Sequence, residues 1–289
     1  MWNNVKTFLL LAALTALLLG AGQVLGGRTG LVLGLGLAIA MNLSGYWFSD
    51  KIALSMSGAR PVEPHQAPWL HEAIEDLARA AGLPKPRVYV IPTPTPNAFA
   101  TGRNPAHAAV AVTEGIMRTL DAEELHGVLA HEVAHIKNRD ILISSVAAML
   151  AGALTQLAQL AQFGALFGPR DEGEEGGSVL ATVGLMIVAP LAASLVQMAV
   201  SRSREYEADR TAGLLTGRPE ALARALQKLE RGSELAPTAV SPATAHMYIV
   251  NPLTAGAVLA SLFSTHPPTA ERVRRLEALA ASPEARRLR

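Results

Sequence analysis

His131-Glu132-Val133-Ala134-His135 is the stretch from which the rest of the chain is read. Two histidines four residues apart lie on one face of an α-helix, so both imidazoles reach a single metal ion. Glu132 follows the first of them and can approach a water on that ion rather than the ion itself. This is the arrangement for metal-assisted hydrolysis of a peptide bond, with the histidines binding zinc and the glutamate acting as general base. The plainer reading is an amphipathic helix with two surface histidines.

The helix around this turn announces its own start. Asp121 is an N-cap candidate and Glu124, three residues on, completes a capping-box pattern. Leu125, Val128, Leu129 and Val133 fall on the inward face, and the helix runs out in Lys137, Asn138, Arg139 and Asp140. Upstream, residues 69–81 repeat apolar side chains at helical spacing and close at Gly82 and Pro84. Residues 87–91 are β-rich; residues 97–102 and 108–112 look like two more strands around a turn at Asn104-Pro105. A small antiparallel sheet of about three strands is expected.

Half of the 289 residues are hydrophobic and only 17% are charged, which points to membrane segments. Residues 5–25 and 31–48 are two apolar runs joined by a short turn at 26–30, the pattern of a transmembrane hairpin rather than a signal peptide. Residues 141–167 and 178–200 form a second apolar pair around an acidic loop; a buried helical hairpin is the competing reading. The chain thus divides into an N-terminal hairpin (1–50), a first catalytic part (51–140), a second hairpin (141–200) and a second catalytic part (201–289). Arg28 and Arg170 stand alone in the proposed outer loops. Lys6, Lys51, Arg60, Lys137, Arg139, Arg202 and Arg204 lie on the other side, so the positive-inside rule puts both termini and the catalytic parts in the cytoplasm. The net charge of +1 gives no case for nucleic-acid binding, and the absence of cysteine excludes disulfides and thiolate metal ligands.

Two histidines leave a catalytic zinc one protein ligand short. Glu205 is the best third ligand. It lies just past the second apolar pair while His131 and His135 lie just before it, so a hairpin that leaves the membrane where it entered brings them together. Asp209 shares the helical face of Glu205 and can accept a hydrogen bond from a ligating imidazole. Glu207 faces elsewhere. His65, His71, His107, His126 and His246 read as surface residues rather than ligands.

Residues 131–140, Glu205-x-x-x-Asp209, Asn97-Ala98-Phe99-Ala100-Thr101-Gly102 and Ser264-Thr265-His266-Pro267-Pro268 together resemble the HtpX family of membrane zinc metallopeptidases, relatives of the prenyl-protein proteases. The resemblance covers the whole chain. It implies a mainly α-helical multi-pass membrane protein with a zincin-like (gluzincin) catalytic domain and one Zn²⁺ per chain. It also implies an endopeptidase that cleaves damaged membrane proteins and unfolded polypeptides at the cytoplasmic face of a bacterial inner membrane, in contact with the lipid bilayer and without nucleic acid. In that scheme Glu132 is the base, and His266 is the candidate donor to the tetrahedral oxyanion or else a histidine that simply opens a surface helix. Asn97, Ala98, Phe99 and Ala100 form an edge strand that pairs with extended substrate, or else an ordinary inner strand. Two other functions compete. A metal-binding scaffold or chaperone would have no use for Glu132, and a cation transporter would need carboxylates inside the spans, where Gln156, Gln159 and Gln162 stand instead.

Overall fold

The computed structural model describes residues 2–144, 146, 202–235, 249 and 267–286. The N-terminal apolar sequence is helix α1, Trp2–Met56, whose two arms fold against each other at Gly27, where φ is +54°. Asn42 Nδ2 donates to Thr15 Oγ1 at 2.9 Å, tying residues 27 positions apart across the arms. Gly34 makes the approach close, because a Cβ there would stand 2.6 Å from the Leu18 carbonyl oxygen. Gly27–Met56 is, among the described residues, the one helix long and apolar enough to cross a membrane; Thr7–Gly20 is a shorter apolar stretch. Leu10, Leu14, Leu18 and Ala38 pack with Ile143 and Val146 from just beyond the motif helix. The rest of the second apolar pair lies outside the described residues.

The sheet differs from the expectation. It has four strands, β1 (Arg60–Pro61), β2 (Arg87–Ile91), β3 (Ala98–Thr101) and β4 (Ala109–Thr113), in the order β1-β2-β4-β3. It is mixed rather than antiparallel, since β2 and β4 run parallel with Val88 opposite Val110. β3 pairs antiparallel with β4, and β1 antiparallel with β2. The cause is β4 itself. All five of its side chains are buried, so it takes an inner position covered on both faces. Its hairpin partner β3 is left at the edge, and β2 must lie along the other side. β1, two residues ending in a proline, is too short to show in sequence periodicity.

Val88, Ala98, Val110 and Val112 face the main core, which includes Leu70, Ile74 and Leu77 of α2 (Pro68–Ala81) and Val128, Leu129, Val133 and Ile136 of the motif helix. The opposite face, with Ile91, Phe99, Ala109 and Ala111, packs on Ala53 and Leu54 at the end of α1. The sheet is thus held between the motif helix and the end of the apolar hairpin. A short α3 (Glu114–Thr119) leads into α4 (Ala122–Lys137). The capping box on α4 is complete: Glu124 N–H donates to Asp121 Oδ1 at 2.9 Å, and Asp121 N–H to Glu124 Oε2 at 3.0 Å. After the second apolar pair come α5 (Arg202–Thr216), α6 (Pro219–Leu235), α7 (Thr269–Ala281) and α8 (Pro283–Arg286). α4 packs on α5 and α6, and α7 closes over the same two helices.

Asp121→Ala removes one half of the cap and should lower stability by about 1 kcal/mol. A thermal melt should record this as a fall on the order of 2–4 °C.

Candidate metal centre

His131 and His135 on α4 meet Glu205 in the first turn of α5, and their ligating atoms all lie within 4.8 Å of one another. The two Nε2 atoms are 3.1 Å apart. Glu205 Oε2 stands 3.7 Å from His131 Nε2, and Oε1 3.6 Å from His135 Nε2. The imidazoles meet edge to face with centroids 4.6 Å apart. His131 and Glu205 are buried, and only His135 keeps a partial opening to solvent.

Each imidazole is backed by a carboxylate. His131 Nδ1 lies 3.0 Å from Asp209 Oδ1, one helical turn beyond Glu205 on α5. His135 Nδ1 lies 3.1 Å from both oxygens of Asp140. An ionised carboxylate only accepts, so both contacts keep the proton on Nδ1 and aim the Nε2 lone pairs at one point. Two lone pairs 3.1 Å apart repel unless a cation stands between them. The donor set of two imidazoles and one carboxylate fits a metal ion.

Asp140 reaches His135 through the way α4 ends. Arg139 adopts φ 57°, the one non-glycine residue with positive φ among those described. Its N–H bonds the Ile136 carbonyl and the Asp140 N–H bonds the His135 carbonyl, both at 3.2 Å. This is a Schellman closure with arginine in the place usual for glycine. The turn throws the Asp140 side chain back over the last turn of the helix.

Asp209 is held in turn by Arg272 on α7. The guanidinium grips both carboxylate oxygens, Nε to Oδ2 at 2.8 Å and Nη2 to Oδ1 at 2.7 Å. Its Nη1 donates to the Ile249 carbonyl at 2.8 Å, and Nη2 stands 4.0 Å from Glu205 Oε2. Arg272 is only 1% exposed, the largest side chain buried so completely among the described residues. Burial would raise the Asp209 carboxyl, but Arg272 overrides it and holds the group down to about 2.

Glu132 is buried beside Glu205 and accepts a hydrogen bond from the backbone N–H of Ala100. Burial pushes its carboxyl up to about 7 against the pull of His135, with repulsion from Glu205 adding to the rise. Burial works to lower His135, yet the Asp140, Glu205 and Glu132 carboxylates outweigh it and push the imidazole up to about 10. His131 shifts down, through burial and then the charge on His135. For the side chains alone, a proton on His135 fills the role that a metal ion would take.

The Ala100 contact follows from the strand register. Thr113 N–H donates to the Asn97 carbonyl at 2.9 Å, so alternation along β3 turns Phe99 and Thr101 toward β4 and the backbone groups of Ala98 and Ala100 away from it. β3 is one of the two edge strands of the sheet among the described residues, and it runs past the motif helix. Asn97 precedes β3 and is buried, its N–H donating to Thr113 Oγ1 at 2.8 Å and its Oδ1 accepting from Ile249 N–H at 3.3 Å.

His266 and His246 lie outside the described residues. Glu207 is exposed, and so are His65 and His107, as the sequence suggests. His71 is a correction. It is buried with Nε2 2.8 Å from the Val62 carbonyl, because α2 turns that face under the chain leading from β1. Asp140 and Arg272 are the residues that sequence reading missed as parts of the site. A signal for Arg272 existed: it shares the inward face of α7 with Val273 and Leu276, where a charged side chain needs a buried partner.

The profile of peptidase family M48 matches residues 64–280. The protein named Protease HtpX homolog from Persephonella marina is 55% identical over 282 residues, covering 96% of this chain and 98% of its own. Proteins of the same name from a Sulfurihydrogenibium species and from Pyrococcus furiosus are each 52% identical, covering 97% and 96% of this chain. Among solved structures, Ste24p of S. mikatae superposes with a TM-score of 0.52 at 19% identity; the match covers 94% of this chain and 65% of that one, a likeness of fold.

Asp209 has a folded pKa of about 2 against an ordinary 3.8, so its contribution is complete above pH 4 and lost as pH falls through 2. Acid melts of metal-free wild type and Asp209→Asn should therefore converge by about 2 kcal/mol across that window. Asp140→Ala should weaken metal binding about 10–100-fold, read by competition with a chelator.

Proposed function

The chain belongs to peptidase family M48, a metalloprotease, and from that membership we propose a zinc-dependent endopeptidase of the bacterial inner membrane that hydrolyses peptide bonds of damaged or misfolded membrane proteins at the cytoplasmic face. The observation that carries this reading is the convergence of His131, His135 and Glu205 with Glu132 beside them. Two imidazoles and one carboxylate leave a fourth zinc position for water or substrate, and no thiolate competes for the metal. The apolar hairpin of α1, with its candidate span Gly27–Met56, supports the membrane setting. The cationic flanks of the apolar runs support the cytoplasmic orientation.

His131, His135 and Glu205 would hold the zinc, which when bound would supply Lewis acidity for a water and for the scissile carbonyl. Glu132 takes the proton from that water and delivers it to the leaving nitrogen. The Ala100 N–H fixes the carboxylate for this transfer, and burial raises its proton affinity, which suits it to take a proton from water. Asp140 and Asp209 hold the two imidazoles in one tautomer, and Arg272 holds Asp209. The outward backbone groups of Ala98 and the Ala100 carbonyl suit an extended substrate added to the sheet as a further strand, which gives loose sequence selectivity. His266 is the proposed donor to the oxyanion.

Metal analysis and casein cleavage by detergent-purified protein test this. Glu132→Gln should keep one zinc per chain and lose activity by about 10²–10⁴-fold. Glu205→Ala should lose both zinc and activity. Equal cleavage by wild type and Glu132→Gln would remove the protease reading, and full zinc affinity in Glu205→Ala would mean another third ligand.

A further inference from the structure

The second arm of α1 carries Tyr46-Trp47-Phe48, three consecutive aromatic side chains of which Trp47 and Phe48 are 51% and 48% exposed. Trp47 lies twenty residues past the bend at Gly27. At 1.5 Å per residue that is about 30 Å, the thickness of a bilayer's hydrocarbon core. Length alone therefore brings these rings to a membrane–water interface, where tyrosine and tryptophan concentrate.

Two cations stand on the rings. Lys51 Nζ lies 5.4 Å from the Phe48 centroid and Arg103 Cζ 5.1 Å from that of Trp47. Arg103 Nη1 also donates to the Trp47 carbonyl at 3.4 Å. Neither cation is paired with a carboxylate among the described residues, whereas Arg87 is matched by Asp50, one residue before Lys51. Arg103 sits in the connection between β3 and β4, two residues past the end of β3. Phe99 of β3 packs on Ala53 and Leu54 of the same helix end. The edge strand is thus tied to the aromatic rim at two points.

We propose that Lys51 and Arg103, set around this aromatic rim, form a docking surface for the phosphate groups of anionic phospholipids, and that the contact holds β3 at headgroup level, within reach of polypeptide leaving the bilayer. The charges are complementary, and a guanidinium and an ammonium both donate to phosphate oxygens. The proposal rests on reading α1 as a membrane hairpin and β3 as the substrate strand.

The test uses full-length protein with Trp2→Phe and Trp69→Phe, so that Trp47 is the single tryptophan. It is reconstituted in phosphatidylcholine vesicles with and without phosphatidylglycerol. Trp47 should be quenched most by lipids brominated near the headgroup. Energy transfer from Trp47 should be stronger to dansyl-phosphatidylglycerol than to dansyl-phosphatidylcholine. Lys51→Glu with Arg103→Glu should abolish that preference, each lost cation removing about a fivefold enrichment. Lys51→Arg with Arg103→Lys should keep it. The reversed variant should also cleave a membrane-tethered peptide more slowly while cleaving soluble casein at the wild-type rate. Quenching chiefly by deep bromines, equal transfer to both probes, or a preference that survives charge reversal would each overturn the proposal. The transfer measurement needs no hydrolysis, so an inactive protein that still gathers phosphatidylglycerol would count against the protease reading alone.

Discussion

Four carboxylates and two imidazoles occupy one volume nearly closed to solvent, and this crowding of negative charge governs the structure around it. Glu132, Asp140, Glu205 and Asp209 are all buried. Against them stand Arg272, fully buried, and Arg204, partly buried and shifted down by that burial despite the charges of Asp140 and Glu205. With both imidazoles neutral and all four carboxylates ionised, four negative charges stand against two positive ones, an excess that one divalent cation complements and that, for the side chains alone, protons on His135 and Glu132 reduce. Taking an unbalanced carboxylate out of water costs several kcal/mol. Bringing these groups together therefore calls for a compensating positive charge at the site.

The scaffold answers that requirement with short side chains and borrowed ends. Ala130 and Ala134 on α4 and Ala208 and Ala212 on α5 are all buried at one-turn spacing, and small residues on both helices let the axes come close. His131 and His135 can then meet Glu205 directly. Each imidazole is steadied from a different place: His135 by the closure of its own helix, His131 by the partner helix and, through Asp209, by α7. The sheet brings β3 past Glu132 on one face and rests on the end of the apolar hairpin on the other. The candidate metal site and the apolar hairpin are thus joined through one thin sheet.

Much of this was legible in residue order. The capping box fixed where α4 starts, so the inward faces of Leu125, Val128 and Val133 and the direction of both histidines followed. Asp209 followed from the one-turn spacing to Glu205. The parallel pairing of β2 with β4 did not follow, because a meander and a mixed sheet use the same three segments; the two-sided burial of β4 decides between them. Asp140 was hidden because its approach depends on Arg139 taking a backbone conformation that sequence rules reserve for glycine. Arg272 was hidden by its company, one arginine in the run Glu271-Arg272-Val273-Arg274-Arg275, whose other arginines pair with Glu271 near the surface. Spacing carries a metal motif well; the charges that hold the motif in place come from elsewhere in the fold.

X-ray absorption at the zinc edge of the metal-loaded, detergent-purified protein examines the convergence most directly. Two imidazole nitrogens at about 2.0–2.1 Å with oxygen scatterers at about 2.0–2.2 Å, four ligands in all, are expected. A shell with one imidazole or none would contradict the meeting of α4 and α5 around a single ion.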